Sequence, residues 1–230
     1  MSDRSLRANI LHTALESAFP PPDQHPYAQD VLVGIEIKRE KLGLAAGQRP
    51  GDIDLLVVPL QGDRPSAKKA IAIEVKIVRP TLRKPGKNAD TTGSDQARGL
   101  LHDGFPYVCL LHLCAPEPLP KALHWSLPYV EHEPGVGLVE TGRRLLIDPF
   151  PLMSAPRQEG RLRALGLPAE IGYTAIGLPL TKDGQGFSGC TFGENHLAQL
   201  NPVTLPPLAA RIESLIAAEA NLFQLIRWFA

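Results

Sequence analysis

Apolar residues repeat at helical spacing near the start of the chain. They predict a helix over residues 5–19, which stops at the proline run beginning at Pro20. The repeating positions are Leu6, Ile10, Ala14 and Ala18. A second apolar segment, Val31 to Ile37, is rich in β-branched residues and is compatible with a strand, although its type stays open.

Two later segments alternate between apolar and charged positions, as strands do. In the first, Asp52 to Leu60, residue Asp54 shares a face with Leu56 and Val58. The second, Ala70 to Val78, places Glu74 and Lys76 opposite an apolar face formed by Ile71, Ile73, Val75 and Ile77. The connection between them is so short that antiparallel pairing is favoured over a parallel crossover. We therefore expect Asp54 to fall near Glu74.

The rest of the chain predicts a mixed α/β architecture. Thr92 or Ser94 is expected to cap a helix that runs through Gln96 and ends at Gly104. A buried strand follows over 107–113, then weaker strand signals over 123–130, 144–147 and 171–178, and an amphipathic helix from about Leu208 to Phe229. We expect one domain over 1–230, with a core over about 5–115 and a C-terminal elaboration over about 116–230.

Composition narrows the classes of function. The 230 residues carry 24 Lys and Arg against 24 Asp and Glu, so no global field attracts polyanions, and such a partner must meet a local basic patch. No stretch approaches the apolar length of a membrane span, and the first residues lack the pattern of a secretion signal. Three cysteines do not suit a secreted disulfide framework, so we expect a cytoplasmic protein.

Asp54, Glu74 and Lys76 form the most distinctive chemical grouping. Carboxylates on neighbouring strands can hold one divalent ion, since Mg²⁺ prefers oxygen ligands and is held by one or two carboxylates with substrate phosphates. Lys76 would lie beside that ion, where it could orient or deprotonate a water, or neutralise charge on a phosphate. The alternative is that Glu74 and Lys76 form the solvated face of an edge strand.

The sequence Gly-Asp-Ile-Asp-Leu-Leu at 51–56, followed by Ile-Glu-Val-Lys at 73–76, resembles the motif of the PD-(D/E)xK nuclease superfamily, which has the restriction-endonuclease-like fold. The resemblance implies a sheet flanked by helices with a core order α-β-β-β-α-β. It also implies hydrolysis of nucleic-acid phosphodiesters with Mg²⁺ or Mn²⁺ held by Asp54 and Glu74. Lys76 matches the lysine of the motif, Gln96 matches a glutamine of the following helix, and Glu16 is the candidate N-terminal acid.

This resemblance covers about half the chain, roughly residues 10 to 113, and departs from the full motif at Ile53, where proline would stand. A second acidic-x-Lys triplet, Glu36-Ile37-Lys38, has no Asp-bearing strand before it. Relatives of this kind act in DNA repair, recombination or restriction, often as homodimers, so DNA and a second copy are the expected partners. The residues alone leave DNA versus RNA open.

A basic run follows the second alternating strand and contains no acidic residue as far as Lys87. Its cations, which could hold phosphates beside the metal or simply lie in water, are Arg79, Arg83, Lys84 and Lys87. Nearby, Cys109 and His112 have opposite strand parity, which argues against a shared zinc ion. A non-catalytic binding or assembly module with the nuclease fold is the alternative to an enzyme.

Overall fold

The computed structural model describes residues 30–44, 52–89, 92–180 and 191–226, with only the backbone of residues 191–192. Glu16 and the helix predicted over residues 5–19 lie outside the described residues. The described part is a mixed α/β structure, as expected from the sequence. No helix in these ranges is long and apolar enough to cross a membrane.

One mixed sheet organises the described chain, with strands in the order β10-β1-β2-β4-β5-β8-β9 and the short β3 paired to β2. The remaining two strands, β6 and β7, pair only with each other in a separate two-stranded sheet. The ten strands are β1 Val31–Ile37, β2 Ile53–Gln61, β3 Arg64–Pro65, β4 Ile71–Val78, β5 Tyr107–Cys114, β6 Trp125–Glu133, β7 Gly137–Ile147, β8 Ile171–Gly177, β9 Thr191–Phe192 and β10 Phe223–Ile226.

The pairing directions divide the main sheet into two halves. Strands β10, β1, β2 and β4 pair antiparallel, which confirms the hairpin-like relation predicted for the two alternating segments. Strands β4, β5 and β8 pair parallel, and β4 reaches β5 through a helix, as parallel connections require. Laterally paired residues share a face, so Glu74 lies in one row with Leu110, and Lys76 lies in the next row with His112.

Three α-helices occur in the described ranges: α1 Ser94–His102, α2 Pro149–Arg163 and α3 Pro206–Ala218. All three contribute buried side chains to one core cluster, which also contains residues of β1, β2, β4, β5 and β8. Leu100, Leu162 and Ile212 are the deepest of the large helix residues in it. The face of β4 that carries Glu74 is therefore the face toward which these helices pack.

The predicted boundaries need two corrections. Gly93, and neither Thr92 nor Ser94, holds the N-cap position of α1, in the left-handed conformation, and Thr92 Oγ1 accepts a hydrogen bond from the Ser94 N–H at 3.4 Å. The C-terminal helix ends at Ala218 rather than near Phe229, and the chain then forms β10, which pairs antiparallel with β1. The backbone of the apolar segment after Ala218 thus forms hydrogen bonds with β1 at the edge of the sheet, and the helix does not continue.

The opposite parity predicted for Cys109 and His112 is confirmed. Cys109 packs in a second core cluster on the other face of the sheet, with Ile73 and Leu111 among its neighbours. Burial raises the pKa of the Cys109 thiol to about 12, so the side chain behaves as a small hydrophobic group. His112 is also buried, on the face shared by Glu74.

Candidate active site

Asp54 and Glu74 are brought together where the backbones of β2 and β4 separate. The ladder between these strands runs as far as Leu55 and Ile73, and the two acids occupy the next position on each strand. Beyond that pair, the Asp54 carboxylate replaces a backbone acceptor: its Oδ2 accepts a hydrogen bond from the Val75 N–H at 2.7 Å. This hydrogen bond from the backbone of β4 fixes the Asp54 side chain, and it does not depend on any metal.

Glu74 is the deepest charged group of the cluster, with a side chain that is only 1% exposed. Lys76 Nζ lies 2.6 Å from Glu74 Oε1. That contact is an ion pair whose angles fall outside those of a good hydrogen bond. Burial raises the pKa of the Glu74 carboxyl to about 7, an effect that the Lys76 ammonium opposes and the Asp54 carboxylate reinforces.

The main cause of the raised Glu74 pKa is burial, and repulsion by the Asp54 carboxylate contributes less. An acid that is half protonated near neutral pH can exchange its proton for a metal ion at little cost. Asp54 and Glu74 offer carboxylate oxygens, the ligands that Mg²⁺ prefers, on neighbouring strands. The donor set therefore fits a divalent ion.

The start of α1 lies directly over these side chains. A Cβ atom built on Gly93 would lie 3.0 Å from Lys76 Cε and 3.1 Å from Glu74 Cγ. Gly93 also has a φ of +76°, which glycine adopts without strain. Glycine is thus favoured here by both the backbone conformation and the close approach of the Lys76 and Glu74 side chains.

Gln96 lies in the first turn of α1 and is half-buried. Within the part of the chain that the structure describes, no hydrogen bond connects its side chain to Asp54, Glu74 or Lys76. Its expected place in the site therefore remains a prediction.

His112 extends the site sideways along the sheet. It is fully buried beside Lys76, and one ring nitrogen, Nε2, lies 2.9 Å from the Thr92 carbonyl oxygen next to Gly93. The other, Nδ1, lies 2.7 Å from Gln158 Nε2. Burial lowers the pKa of the imidazole, which the Lys76 charge reinforces, while the bond to Thr92 opposes it.

The hydrogen bonds determine the tautomer of this neutral imidazole. Arg161 can only donate, so the Gln158 atom that it contacts at 3.0 Å is the amide oxygen. The Gln158 amide nitrogen therefore donates to His112 Nδ1, and also to Asn88 Oδ1 at 2.6 Å. His112 Nε2 must then carry the proton and donate to the Thr92 carbonyl. This network joins β5 and α2 to Asn88 and Thr92 of the loop before α1.

The predicted basic run forms part of that loop, and its four cations are exposed. Its backbone is held by α2, because Arg157 donates to the Pro85 carbonyl and Arg161 donates to those of Gly86 and Lys87. The cations of the loop and the two helix arginines therefore share one area, which we call the basic surface. It consists of Arg79, Arg83, Lys84, Lys87, Arg157 and Arg161.

A second acidic group lies farther along α2. Ligand atoms of Glu159, Glu194 and His196 lie within 4.8 Å of one another, so this group could hold a metal. Its charges are already compensated, however: Arg163 Nη2 donates to Glu159 Oε1 at 2.9 Å and also pairs with Glu194. His196 Nε2 lies 2.9 Å from the same Glu159 oxygen. Metal binding would have to displace Arg163, so we regard the group as an ion-pair network that fastens α2 to the sheet.

Four of the residues around the site were not identified from the sequence. They are His112, Gln158, Arg157 and Arg161. His112 had been considered only as a zinc ligand, although parallel pairing of β4 with β5 would have placed it beside Lys76. The other three lie on a helix that the sequence did not predict.

Comparison of the chain with protein-family models, curated proteins and solved structures finds no match in any of the three. The assignment of a function therefore depends on the geometry and chemistry of these residues.

Proposed function

We propose that the chain is a Mg²⁺- or Mn²⁺-dependent nuclease with a restriction-endonuclease-like fold, acting on DNA. The observation that carries this proposal is the arrangement of Asp54, buried Glu74 and Lys76 on adjacent strands, with Lys76 Nζ 2.6 Å from a Glu74 oxygen. The resemblance of the two strand sequences to the nuclease motif supports the same assignment.

Each side chain has a role in this proposal. Asp54 and Glu74 hold the divalent ion, which when bound lowers the pKa of a water and offsets negative charge on the phosphate. The Lys76 ammonium lies beside Glu74, where it would orient the attacking water or neutralise the charge that develops on the phosphate. The basic surface holds the neighbouring phosphates, which positions the strand without reading its sequence.

A cleavage assay tests the proposal. Single- and double-stranded DNA and RNA are incubated with the protein in Mg²⁺, in Mn²⁺ and in EDTA. We expect cleavage of DNA in either metal and none in EDTA. If the protein binds DNA but cleaves no substrate in either metal, the non-catalytic binding module is the correct interpretation.

Replacing Lys76 separates chemistry from binding. Lys76→Ala should reduce the cleavage rate by about 100-fold or more, because contacts made chiefly in the transition state affect rate more than affinity. DNA affinity, measured by fluorescence anisotropy, should change little. The matched control is Lys121→Ala, which removes an exposed lysine from a short 3₁₀ helix. Equal cleavage by Lys76→Ala and the parent protein would show that the mechanism is wrong.

A further inference from the structure

His112 is fully buried beside the site, yet the roles given to Asp54, Glu74 and Lys76 do not use it. It lies in the same row of the sheet as Lys76, on the neighbouring strand β5. Both of its ring nitrogens are hydrogen-bonded, and Nε2 donates to the Thr92 carbonyl oxygen at 2.9 Å. A buried polar network whose members are all satisfied makes the groups that it joins rigid. The imidazole therefore fixes the position of the Thr92 carbonyl.

The Thr92 carbonyl belongs to the backbone that carries Gly93 over the site. Gly93 packs so closely that an added Cβ would lie 3.1 Å from Glu74 Cγ and 3.0 Å from Lys76 Cε. In the part of the chain that the structure describes, the other hydrogen bonds of Thr92 are local, with Ser94. The bond from the imidazole is therefore the polar contact that joins this backbone to β5.

The direction of that hydrogen bond depends on α2. Arg161 donates to Gln158 Oε1 at 3.0 Å, so Gln158 Nε2 faces His112 Nδ1 and donates to it at 2.7 Å. The proton of the neutral imidazole is thereby kept on Nε2, where the Thr92 carbonyl accepts it. Gln158, which is buried, therefore acts on Thr92 through His112.

We propose that His112 and Gln158 are positioning residues for the metal site, which hold Gly93 against the side chains of Glu74 and Lys76. Their role rests on the proposed nuclease function, since that function gives these two side chains a metal ion and a reacting phosphate. Neither His112 nor Gln158 contacts the ion or the phosphate. Loss of outer residues that orient a metal ligand typically costs about 10- to 100-fold in metal affinity or activity.

Two pairs of variants separate this role from a general effect on stability. His112→Met removes both ring nitrogens, whereas His112→Gln keeps an amide N–H that can reach the Thr92 carbonyl. Gln158→Met removes the donor to the imidazole. Its matched control is Glu159→Met, which removes a similarly buried polar side chain from the next position of α2 and breaks the ion pair with Arg163 instead.

Hydrogen exchange of the metal-free protein measures how firmly the start of α1 is held. The Ala97 N–H donates to the Gly93 carbonyl at 2.9 Å, so its protection reports whether Gly93 stays in place. We expect His112→Met and Gln158→Met to lower that protection by about tenfold, because local opening becomes easier. His112→Gln and Glu159→Met should leave it near that of the parent. Amides at the C-terminal end of α1 are the internal reference.

Calorimetry with Mn²⁺ in the absence of DNA measures the effect on the metal site. His112→Met and Gln158→Met should weaken Mn²⁺ binding by about tenfold or more, and the other two variants should not. In cleavage assays, His112→Met should lower kcat with little change in the KM for DNA, because the basic surface is unaltered. A variant that only destabilised the fold would not show this split below its unfolding temperature.

The proposal is wrong if His112→Met leaves Ala97 protection or Mn²⁺ affinity unchanged, or if His112→Gln lowers Mn²⁺ affinity as much as His112→Met. Equal effects of Gln158→Met and Glu159→Met would also overturn it, because the loss would then follow from α2 as a whole. Failure of the nuclease function gives a different result. The parent would then bind no Mn²⁺ and cleave no DNA, while Ala97 protection still depended on His112. That result would overturn the metal site and its positioning together, and only the anchoring of α1 would be supported.

Discussion

Glu74 shows how a single side chain links stability to function. Its carboxyl is buried among apolar residues, and the resulting pKa of about 7 lies well above the ordinary 4.5. When it is charged, a buried carboxylate of this kind destabilises the folded protein. Groups with such shifted pKa values are common at functional sites. The sequence identified Glu74 from its motif and strand parity, but the depth of burial depends on the packing of α1 over β4, which no local pattern reports.

Glu74→Gln should remove a pH dependence of stability. Between pH 4.5 and about 7 the folded protein keeps a proton on Glu74 that the unfolded chain has released. The free energy of unfolding therefore falls as pH rises through this window, by an amount on the order of 3 kcal/mol, since one pKa unit corresponds to about 1.36 kcal/mol. Glutamine is neutral throughout, so the variant should gain stability relative to the parent as pH rises.

Urea denaturation at several pH values, without divalent metal, measures this difference. His112 acts in the opposite sense, because its lowered pKa makes stability fall as pH drops below 6.5. Both proteins retain His112, so its contribution cancels when the variant is compared with the parent. Glu213→Gln on the exposed face of α3 is the control. A constant stability difference between pH 4.5 and 7.5 would contradict the assigned burial of Glu74.

The beginning of α1 is the element on which the geometry of the site depends. Its capping was predicted for the wrong residues, because Thr92 and Ser94 are the types that usually cap helices. In the structure their hydroxyls lie 3.0 Å from each other, and Gly93 takes the N-cap position. A Cβ at that position would crowd Glu74 and Lys76, and this constraint arises only from the folded packing.

Gly93→Ala should therefore destabilise the protein and reduce activity. Its new Cβ would lie 2.9 Å from Leu110 Cδ1 as well as against Glu74 and Lys76. Gly62→Ala is the matched control, because Gly62 also has positive φ, +62°, but no atom within 4 Å of the added Cβ. Unfolding in urea should show a loss for Gly93→Ala that exceeds the control by about 1–3 kcal/mol, the typical cost of overpacking. Equal losses would mean that backbone conformation alone requires glycine.

Helix α2 shows why part of the site was hidden in the sequence. Its first residues include Pro149 and Pro151, and Pro156 follows within the helix, so the segment resembled a loop. The structure places the first two prolines in the first turn, where no intrahelical N–H bond is needed, and Asp148 caps the helix by accepting from the Phe150 N–H. The strands were easier to predict, since alternation reports directly which residues face the core.

At the level of the whole molecule, pairing order was the main property that the sequence did not reveal. The antiparallel relation of β2 and β4 followed from a short connection, but the parallel placement of β5 and β8 depends on contacts distant in sequence. The C-terminal segment is a similar case. Its apolar residues suited a helix, and pairing of Phe223 to Ile226 with β1 overrides that local preference.

The neutral net charge of the molecule makes the basic surface the expected source of nucleic-acid affinity. Arg83→Ala with Lys84→Ala should weaken DNA binding in a salt-dependent manner, because each lost phosphate contact lowers the slope of log K against log salt by about 0.9. The double variant should thus lose up to about two units of slope.

Fluorescence anisotropy of a labelled duplex in EDTA, over a range of salt concentrations, measures this slope without cleavage. The control, Lys68→Ala with Lys69→Ala, removes two exposed lysines from the short 3₁₀ helix before β4. Because both pairs change the net charge equally, an equal loss of affinity would show that binding follows total charge and that the basic surface is not the interface.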